Sequence, residues 1–242
     1  MTGNSSFFVL WPYVGFVLLA VGTIFRYLLA LRRPTMLPSE LAEAKAVFGG
    51  RVWWITACAS LAGHLVGFLL PHAILSWNTN PVRLYILEGL AFTVGFAALI
   101  SGAVLAWRHL GRSSRSVLTE VFDTVFLALI LVVIVSGLLV AVFQRWGSSW
   151  GVITLTPYVR SLLRGQPAPE LAAQMPFLVR LHVLTTFASL AIVPLTRLAT
   201  FPVVALHECL VLVNKPIRAA GNAISSWLSK HNTGAWFWPE ED

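Results

Sequence analysis

The sequence predicts an all-α integral membrane protein, a bundle of five transmembrane helices. The chain has 242 residues, of which 57% are hydrophobic and only 11% charged, with a mean hydropathy of +0.77. A soluble domain of this length carries about a quarter charged residues. A helix needs about 20 apolar residues to cross a bilayer core of about 30 Å. Five segments meet this length, at residues 8–30, 52–71, 85–107, 118–143 and 176–204.

Charges and turn residues bound the predicted spans. The first ends at Arg32-Arg33-Pro34, and the second runs from Gly49-Gly50-Arg51 to Leu70-Pro71-His72. The third ends at Trp107, and the fourth follows a turn rich in Ser and Arg. The long connection before the fifth span predicts an amphipathic helix around Val152–Leu163, resting on the outer surface.

The distribution of Lys and Arg predicts the orientation, because positive residues collect on the cytoplasmic side. One side of the bundle has twelve positive residues: Arg26, Arg32, Arg33, Lys45, Arg51, Arg108, Arg112, Arg115, Arg197, Lys215, Arg218 and Lys230. The other side has five: Arg83, Arg145, Arg160, Arg164 and Arg180. We therefore expect the N-terminus outside and the C-terminus inside a multi-pass protein of the cytoplasmic (inner) membrane.

The same pattern argues against nucleic acid as a partner, although the net charge is +7. The charges lie in short clusters between apolar runs, as expected for a protein in contact with lipid. No basic region precedes the first apolar stretch, so no cleavable signal peptide is predicted.

Two regions are predicted: a five-helix membrane domain over 1–210 and a cytoplasmic tail over 211–242. The tail ends in Trp236-Phe237-Trp238-Pro239 followed by acidic residues. Such an end is typical of a docking segment for a partner, or of an interfacial anchor.

His64 and His182 lie inside long uncharged apolar runs. Ionisable residues within membrane helices need a partner and are functional candidates. A neutral imidazole is also an axial ligand of haem iron. The alternative is that each histidine only forms hydrogen bonds between helices.

The two histidines have matching predicted depths, His64 roughly 10 Å and His182 roughly 9 Å below the outer boundary at 1.5 Å per residue. This match predicts one haem held between the second and fifth spans. Gly63 and Gly67 flank His64 and leave room for a flat porphyrin. Arg180 is a candidate partner for a haem propionate.

The remaining polar candidates lie near the two surfaces. Cys58 and Cys209 form no CxxC or CxxCH pattern, so any haem is of the b type and not covalently attached. His72 lies at the outer end of the second span, where it contacts a quinol headgroup or faces water. A second haem between His109 and His207, near the inner surface, is a further alternative.

Several local motifs resemble the gamma subunit of respiratory nitrate reductases. These are Trp11-Pro12-Tyr13, Phe25-Arg26-Tyr27, Gly63-His64 with Gly67, Leu70-Pro71-His72, Arg180-Leu181-His182, Pro194 and Arg197. The resemblance implies haem ligation by His64 and His182, and quinol oxidation beside this outer haem. It also implies iron–sulfur and catalytic partner subunits. Arg83 is the basic residue closest to the family's quinol lysine.

The chain departs from the family at the inner haem. The resemblance places its ligands at positions 54 and 200, which are Trp54 and Thr200 here. We therefore expect a cytochrome b subunit with a single haem b that transfers electrons between the quinone pool and a redox partner. The alternative is a non-catalytic membrane anchor or assembly subunit of a respiratory complex.

Overall fold

The computed structural model describes residues 3–111, 117–144 and 147–230, and all regular elements in these ranges are helical. The α-helices are α1 (Gly3–Arg32), α2 (Leu37–Phe48), α3 (Arg51–Leu69), α4 (Pro71–Trp77), α5 (Pro81–Leu110), α6 (Val117–Phe143), α7 (Gly147–Leu163), α8 (Pro169–Ala173), α9 (Phe177–Ile192) and α10 (Thr200–Lys230). Short 3₁₀ turns occupy Pro34–Met36, Val193–Leu195 and Arg197–Ala199. The all-α prediction is confirmed.

Six stretches of the described chain are long and apolar enough to cross a membrane: Phe7–Arg32, Arg51–Leu69, Pro81–Leu110, Val117–Phe143, Phe177–Leu195 and Arg197–Lys230. The first five correspond to the predicted spans. The sixth includes all of α10, which the sequence assigned largely to a tail. The chain is thus a multi-pass membrane protein, and the predicted number of five spans remains a prediction.

The fifth span differs from the single helix predicted over 176–204. Helix α9 ends at Ile192, and Thr196 is extended at φ −97° and ψ 164°. Pro194 contributes to the break because proline cannot donate the backbone hydrogen bond that continues a helix. Arg197 donates its backbone N–H to Asp123 Oδ1 at 2.9 Å instead of to a helix carbonyl. Hydropathy alone does not detect this break.

The chain forms two compact units, Met1–Thr200 and Phe201–Asp242. In the first unit, α9 packs against α1 and α6, and α5 packs against α3 and α6. In the second, the described residues form a continuation of α10. Large apolar side chains on α1, α3, α5 and α6 are exposed, such as Leu10, Ile55, Leu90 and Val121. In a membrane protein these faces are expected to meet lipid.

Helix α7 confirms the helix predicted around Val152–Leu163, and its position on the outer surface remains a prediction. Tyr158 is fully buried and donates its hydroxyl to the Phe8 carbonyl, while Tyr13 donates to the Leu162 carbonyl at 2.8 Å. Burial raises the pKa of Tyr158 to about 12. The phenol is therefore protonated, and able to donate, throughout the neutral range. These bonds join α7 to α1.

Charged groups meet at the break after α9. Arg197 Nη1 lies 2.6 Å from Asp123 Oδ2, and Arg197 Nε lies 3.3 Å from Glu43 Oε2. Asp123 is fully buried and Arg197 is 7% exposed. Arg26 donates to the carbonyls of Pro194 and Thr196. This cluster, which we call the inner network, joins α1, α2 and α6 to residues 193–199.

Some predicted features lie outside the described residues. They are Arg112, Arg115, Arg145, His231 and the segment 236–242. The docking-segment prediction is among them.

Removal of the Asp123 carboxylate is expected to destabilise the protein by about 3–5 kcal/mol, because it leaves a buried arginine without its counter-charge. The test is the loss of folded Asp123→Ala protein on heating in detergent, followed by size-exclusion chromatography. Glu43→Gln is the matched control. Its carboxylate is half exposed, and exposed pairs contribute up to about 1 kcal/mol. Equal thermal stability of the two variants would contradict a stabilising buried pair.

Candidate functional site

The structure brings His64 and His182 together. Their ring centroids lie 6.1 Å apart, and the ring planes are nearly parallel at 18°. His64 lies on an exposed face of α3, and His182 is half-buried on α9. Two rings from segments separated by more than a hundred residues thus lie close together.

The supporting helices explain this meeting. His64 lies five residues before the end of α3, and His182 lies five residues after the start of α9. At 1.5 Å per residue, each ring lies roughly 8 Å along its helix from that end. Helix α3 packs mainly against α5 and α7, and α9 packs mainly against α1 and α6. The helices that carry the two histidines are therefore held in place by different pairs of neighbouring helices.

Both rings make their hydrogen bonds through Nδ1. His64 Nδ1 lies 2.7 Å from the Ser60 carbonyl oxygen, and His182 Nδ1 lies 2.9 Å from the Val133 carbonyl oxygen. A carbonyl oxygen only accepts, so Nδ1 carries the proton in each ring. In the neutral imidazole, Nε2 then keeps its lone pair. The two rings thus have the tautomer that metal-ligating histidines adopt when a backbone carbonyl fixes the other nitrogen.

Helix α6 forms one wall of the site. A Cβ atom at Gly137 would lie 3.0 Å from Cε1 and 3.3 Å from Nδ1 of His182. Ser136 Oγ lies 3.2 Å from His182 Nδ1 and donates to the Val133 carbonyl at 2.9 Å. The sequence analysis missed these residues. The signal was available, since a lone glycine within a helix costs stability and often has a packing reason.

The two predicted glycines have different surroundings. Nothing lies within 4 Å of a Cβ placed at Gly63, so the space beside His64 is open there. A Cβ at Gly67 would lie 3.9 Å from Val152 Cγ2, and the Gly67 carbonyl accepts from Thr156 Oγ1 at 3.3 Å. Gly63 thus borders open space, and Gly67 packs against α7.

Arg180 has a buried, unpaired donor. Its Nε atom is inaccessible to solvent and has no hydrogen-bond partner among the described residues. A buried guanidinium nitrogen is costly unless an acceptor, best an anionic one, pairs with it. This orphaned donor lies two residues before His182 in the sequence.

His72 lines a cavity of about 400 Å³ between α4 and helix α7. Arg160 and Arg164 also line it, with Val152, Ile153 and Pro157 among the apolar residues. Arg160 donates to the Phe68 carbonyl at 2.9 Å, so it binds the end of the helix that carries His64. The cavity therefore combines an imidazole and two guanidinium groups with an apolar wall.

Arg83 does not line this cavity. Its guanidinium carbon lies 5.2 Å from the centroid of the Trp77 ring, a cation–π arrangement. The structure therefore places the two predicted quinol candidates in different surroundings.

Positions 54 and 200, where the resemblance places the ligands of a second haem, are Trp54 and Thr200. Thr200 is buried, and its Oγ1 accepts from Arg26 Nη2 at 3.2 Å. His109 is 4% exposed, and its Nε2 lies 2.9 Å from Thr124 Oγ1. His207 belongs to the second unit. Within the described residues, no group of three or more His, Cys, Asp or Glu suited to a metal ion is found.

Comparisons with known proteins all identify nitrate reductase or nitrate reductase-like proteins as similar to this chain. Residues 4–213 match the family model described as nitrate reductase gamma subunit. The chain is 28% identical over 204 residues to the nitrate reductase-like protein NarX from two strains of Mycobacterium tuberculosis, covering 81% of this chain and 31% of NarX. It is 23% identical over 203 residues to the respiratory nitrate reductase 2 gamma chain of Escherichia coli, covering 81% of this chain and 88% of that protein. The chain thus spans about a third of the length of NarX.

Proposed function

The chain belongs to the nitrate reductase gamma subunit family, and we propose that it is the membrane cytochrome b subunit of a nitrate-reductase-like complex. In this proposal His64 and His182 ligate a single haem b, and the subunit transfers electrons between the quinone pool and a redox partner. The observation that carries the proposal is the pair of near-parallel imidazoles 6.1 Å apart, each fixed through Nδ1.

The separation fits one metal ion between the rings. Imidazole nitrogen binds zinc at about 2 Å, and a ring nitrogen lies roughly 1 Å from the ring centroid. If both Nε2 atoms bound one iron ion at a similar length, the two ring centroids would lie at most about 6 Å apart. The observed 6.1 Å agrees with this distance.

The chain's residues hold and orient the group. A bis-histidine haem supplies one-electron redox chemistry, with a potential tuned by its ligands and their hydrogen bonds. The Ser60 and Val133 carbonyls fix the ligand tautomers, and the open space at Gly63 accommodates a flat ring system. The buried unpaired Nε of Arg180 favours a propionate as its acceptor. Residues two apart on a helix point in different directions, so this contact requires the full reach of the arginine.

Two observations support a single haem. Trp54 and Thr200 occupy the positions that the family uses for inner ligands, and neither side chain offers an imidazole. The Thr200 hydroxyl is already bound by Arg26.

A quinol site beside the haem completes the proposal. Quinol oxidation releases protons as well as electrons, so the site needs a group that accepts or orients a hydroxyl proton. The His72 imidazole suits this role, since a neutral imidazole has one ring nitrogen that accepts a proton and one that donates. The cavity that it lines is supporting evidence, with an apolar wall for the ring of a quinone. Arg83 is the second candidate and would hold a quinone oxygen by hydrogen bonds.

The expected partners are the iron–sulfur and catalytic subunits of a membrane-bound oxidoreductase. We propose five spans with the N-terminus outside, so that residues 211–242 reach the cytoplasm and serve as a docking segment. The charges spaced along α10 at Glu208, Lys215 and Lys230 favour this arrangement over a sixth span. The proposed location is the inner membrane.

One observation favours a second function. Without inner ligands at Trp54 and Thr200, the subunit lacks the family's second haem, and a non-catalytic membrane anchor or assembly subunit has no need of one. The histidines would then only pack helices. Haem content separates the two functions.

The haem proposal predicts one low-spin haem b per purified chain. His64→Ala or His182→Ala is expected to abolish the six-coordinate spectrum, because each removes one axial ligand. The measurement is a pyridine haemochrome assay with reduced-minus-oxidised spectra, and His207→Ala is the control. A normal spectrum in both ligand variants, or two haems per native chain, would refute the assignment.

The orientation is tested by labelling with a membrane-impermeant thiol reagent. Cys58 and Cys209 are exposed, so both are first replaced by Ser. In intact cells or spheroplasts, Ser5→Cys is expected to react and Ser229→Cys to react only after permeabilisation. The opposite pattern would invert the topology, and equal external labelling would favour an even number of spans.

The quinol site is tested in variants that retain haem. His72→Ala is expected to slow haem reduction by a quinol analogue about 10²-fold, the lower end of the range for a positioned general base. Arg83→Ala is expected to weaken binding of the analogue and of inhibitors. Arg164 lines the cavity together with His72, whereas Arg83 does not. Slower haem reduction in Arg164→Ala would therefore indicate that the quinol analogue binds in the cavity. Unchanged rates and inhibitor binding in the His72 and Arg83 variants would remove this site and leave the haem assignment intact.

A further inference from the structure

We propose that α6, which supplies no iron ligand, sets the orientation and the donor strength of His182 through Ser136, Gly137 and the Val133 carbonyl. The proposal rests on the proposed haem function. It assigns Ser136 and Gly137 as positioning residues.

Gly137 leaves space for the His182 ring because it has no side chain. The His182 ring lies so close to the α6 backbone that a Cβ at this position would be 3.0 Å from Cε1. Glycine within a helix is less favourable than alanine, so its presence there usually has a packing reason. The close contact gives a reason for glycine here, since any larger residue would push the ring away from α6.

Ser136 and the Val133 carbonyl share one hydrogen-bond donor, the Nδ1–H of His182. Ser136 is 1% exposed, and its hydroxyl donates to the Val133 carbonyl. Its oxygen lone pairs are therefore available to the His182 Nδ1–H, which lies 3.2 Å away. The Val133 carbonyl accepts from the same N–H at 2.9 Å. One imidazole proton thus has two acceptors on one helix turn, at a site with little access to water.

The two histidines differ in this respect. His64 donates to Ser60 on its own helix, so its contact moves with α3. His182 donates to a different helix, so α6 fixes its ring relative to the bundle. Acceptors at Nδ1 raise the basicity of a ligating imidazole. Changes on α6 would therefore act on His182 directly and would leave the Nδ1 contact of His64 in place.

This gives two expected effects. Gly137→Ala displaces the ring and is expected to lower haem affinity at least tenfold, within the range for loss of outer contacts to a metal ligand. Ser136→Ala removes one acceptor, weakens electron donation from His182 and is expected to raise the midpoint potential of the bound haem. Ser136→Thr retains a hydroxyl and is expected to restore the native potential.

The experiment uses the full-length protein in detergent, loaded with haem b. The measurements are haem titration, redox titration and the low-spin electron paramagnetic resonance spectrum. Two controls are matched to the variants. Gly95→Ala also creates a 3.0 Å contact, but with the flexible end of Leu138. Ser189→Ala removes a buried hydroxyl that bonds only within its own helix.

The outcomes are distinct. A native chain that binds no haem removes the proposed function and this inference with it. A native chain that binds haem, with native affinity in Gly137→Ala and native potential and resonance spectrum in Ser136→Ala, overturns this inference alone. If Gly137→Ala does not fold, Ser136→Ala decides. Effects in the α6 variants and their absence in both controls support the proposal.

Discussion

A polar side chain inside an apolar helix bundle must find its hydrogen-bond partners within the protein, because lipid offers none. The arrangement of this molecule depends on that requirement at two places. His182 finds the Val133 carbonyl on α6, and Arg197 finds Asp123 near the start of the same helix. Helix α6 therefore fixes α9 near its beginning and the chain just after its end. The most apolar of the candidate spans, with a mean hydropathy of 3.2, supplies both polar contacts.

These two contacts have different consequences. At the inner network, guanidinium and carboxylate groups satisfy each other, and Arg26 also binds the carbonyls freed by the break at Pro194. Most hydrogen-bond donors and acceptors in the inner network thus have partners within the protein. At the histidine pair, each ring is fixed by one nitrogen only, and Arg180 has an unpaired donor. Buried polar atoms without a partner mark places that can take a further group. Among the described residues these atoms are Arg180 Nε, two residues before His182, and also His109 Nδ1 and Asn78 Oδ1.

Much of this architecture was accessible from the sequence. Runs of about 20 apolar residues located α1, α3, α5, α6 and α9, because hydropathy reports length in a bilayer directly. The matching predicted depths of His64 and His182 predicted one haem between them, and the structure places the two rings 6.1 Å apart. The break after Ile192 was not predicted. Pro194 is visible in the sequence, but membrane helices tolerate proline, and the contact with Asp123 that accompanies the break spans more than 70 residues. The contacts of Ser136 and Gly137 with His182 were not predicted either, because hydropathy does not report which side chain on another helix a residue faces.

The position of the histidine pair limits how a single-haem subunit can work. If the pair lies roughly 10 Å below the outer boundary, about 20 Å of hydrocarbon core separates it from the cytoplasm. The family places an inner haem in that interval, and here Thr200 and Arg26 bind each other at one of its ligand positions. A partner on the cytoplasmic side would then have to bring its own redox group into the bundle. A partner on the outer side would need no such intrusion, so the location of the partner subunit determines whether the inner network is only structural or lies along the path of the electrons.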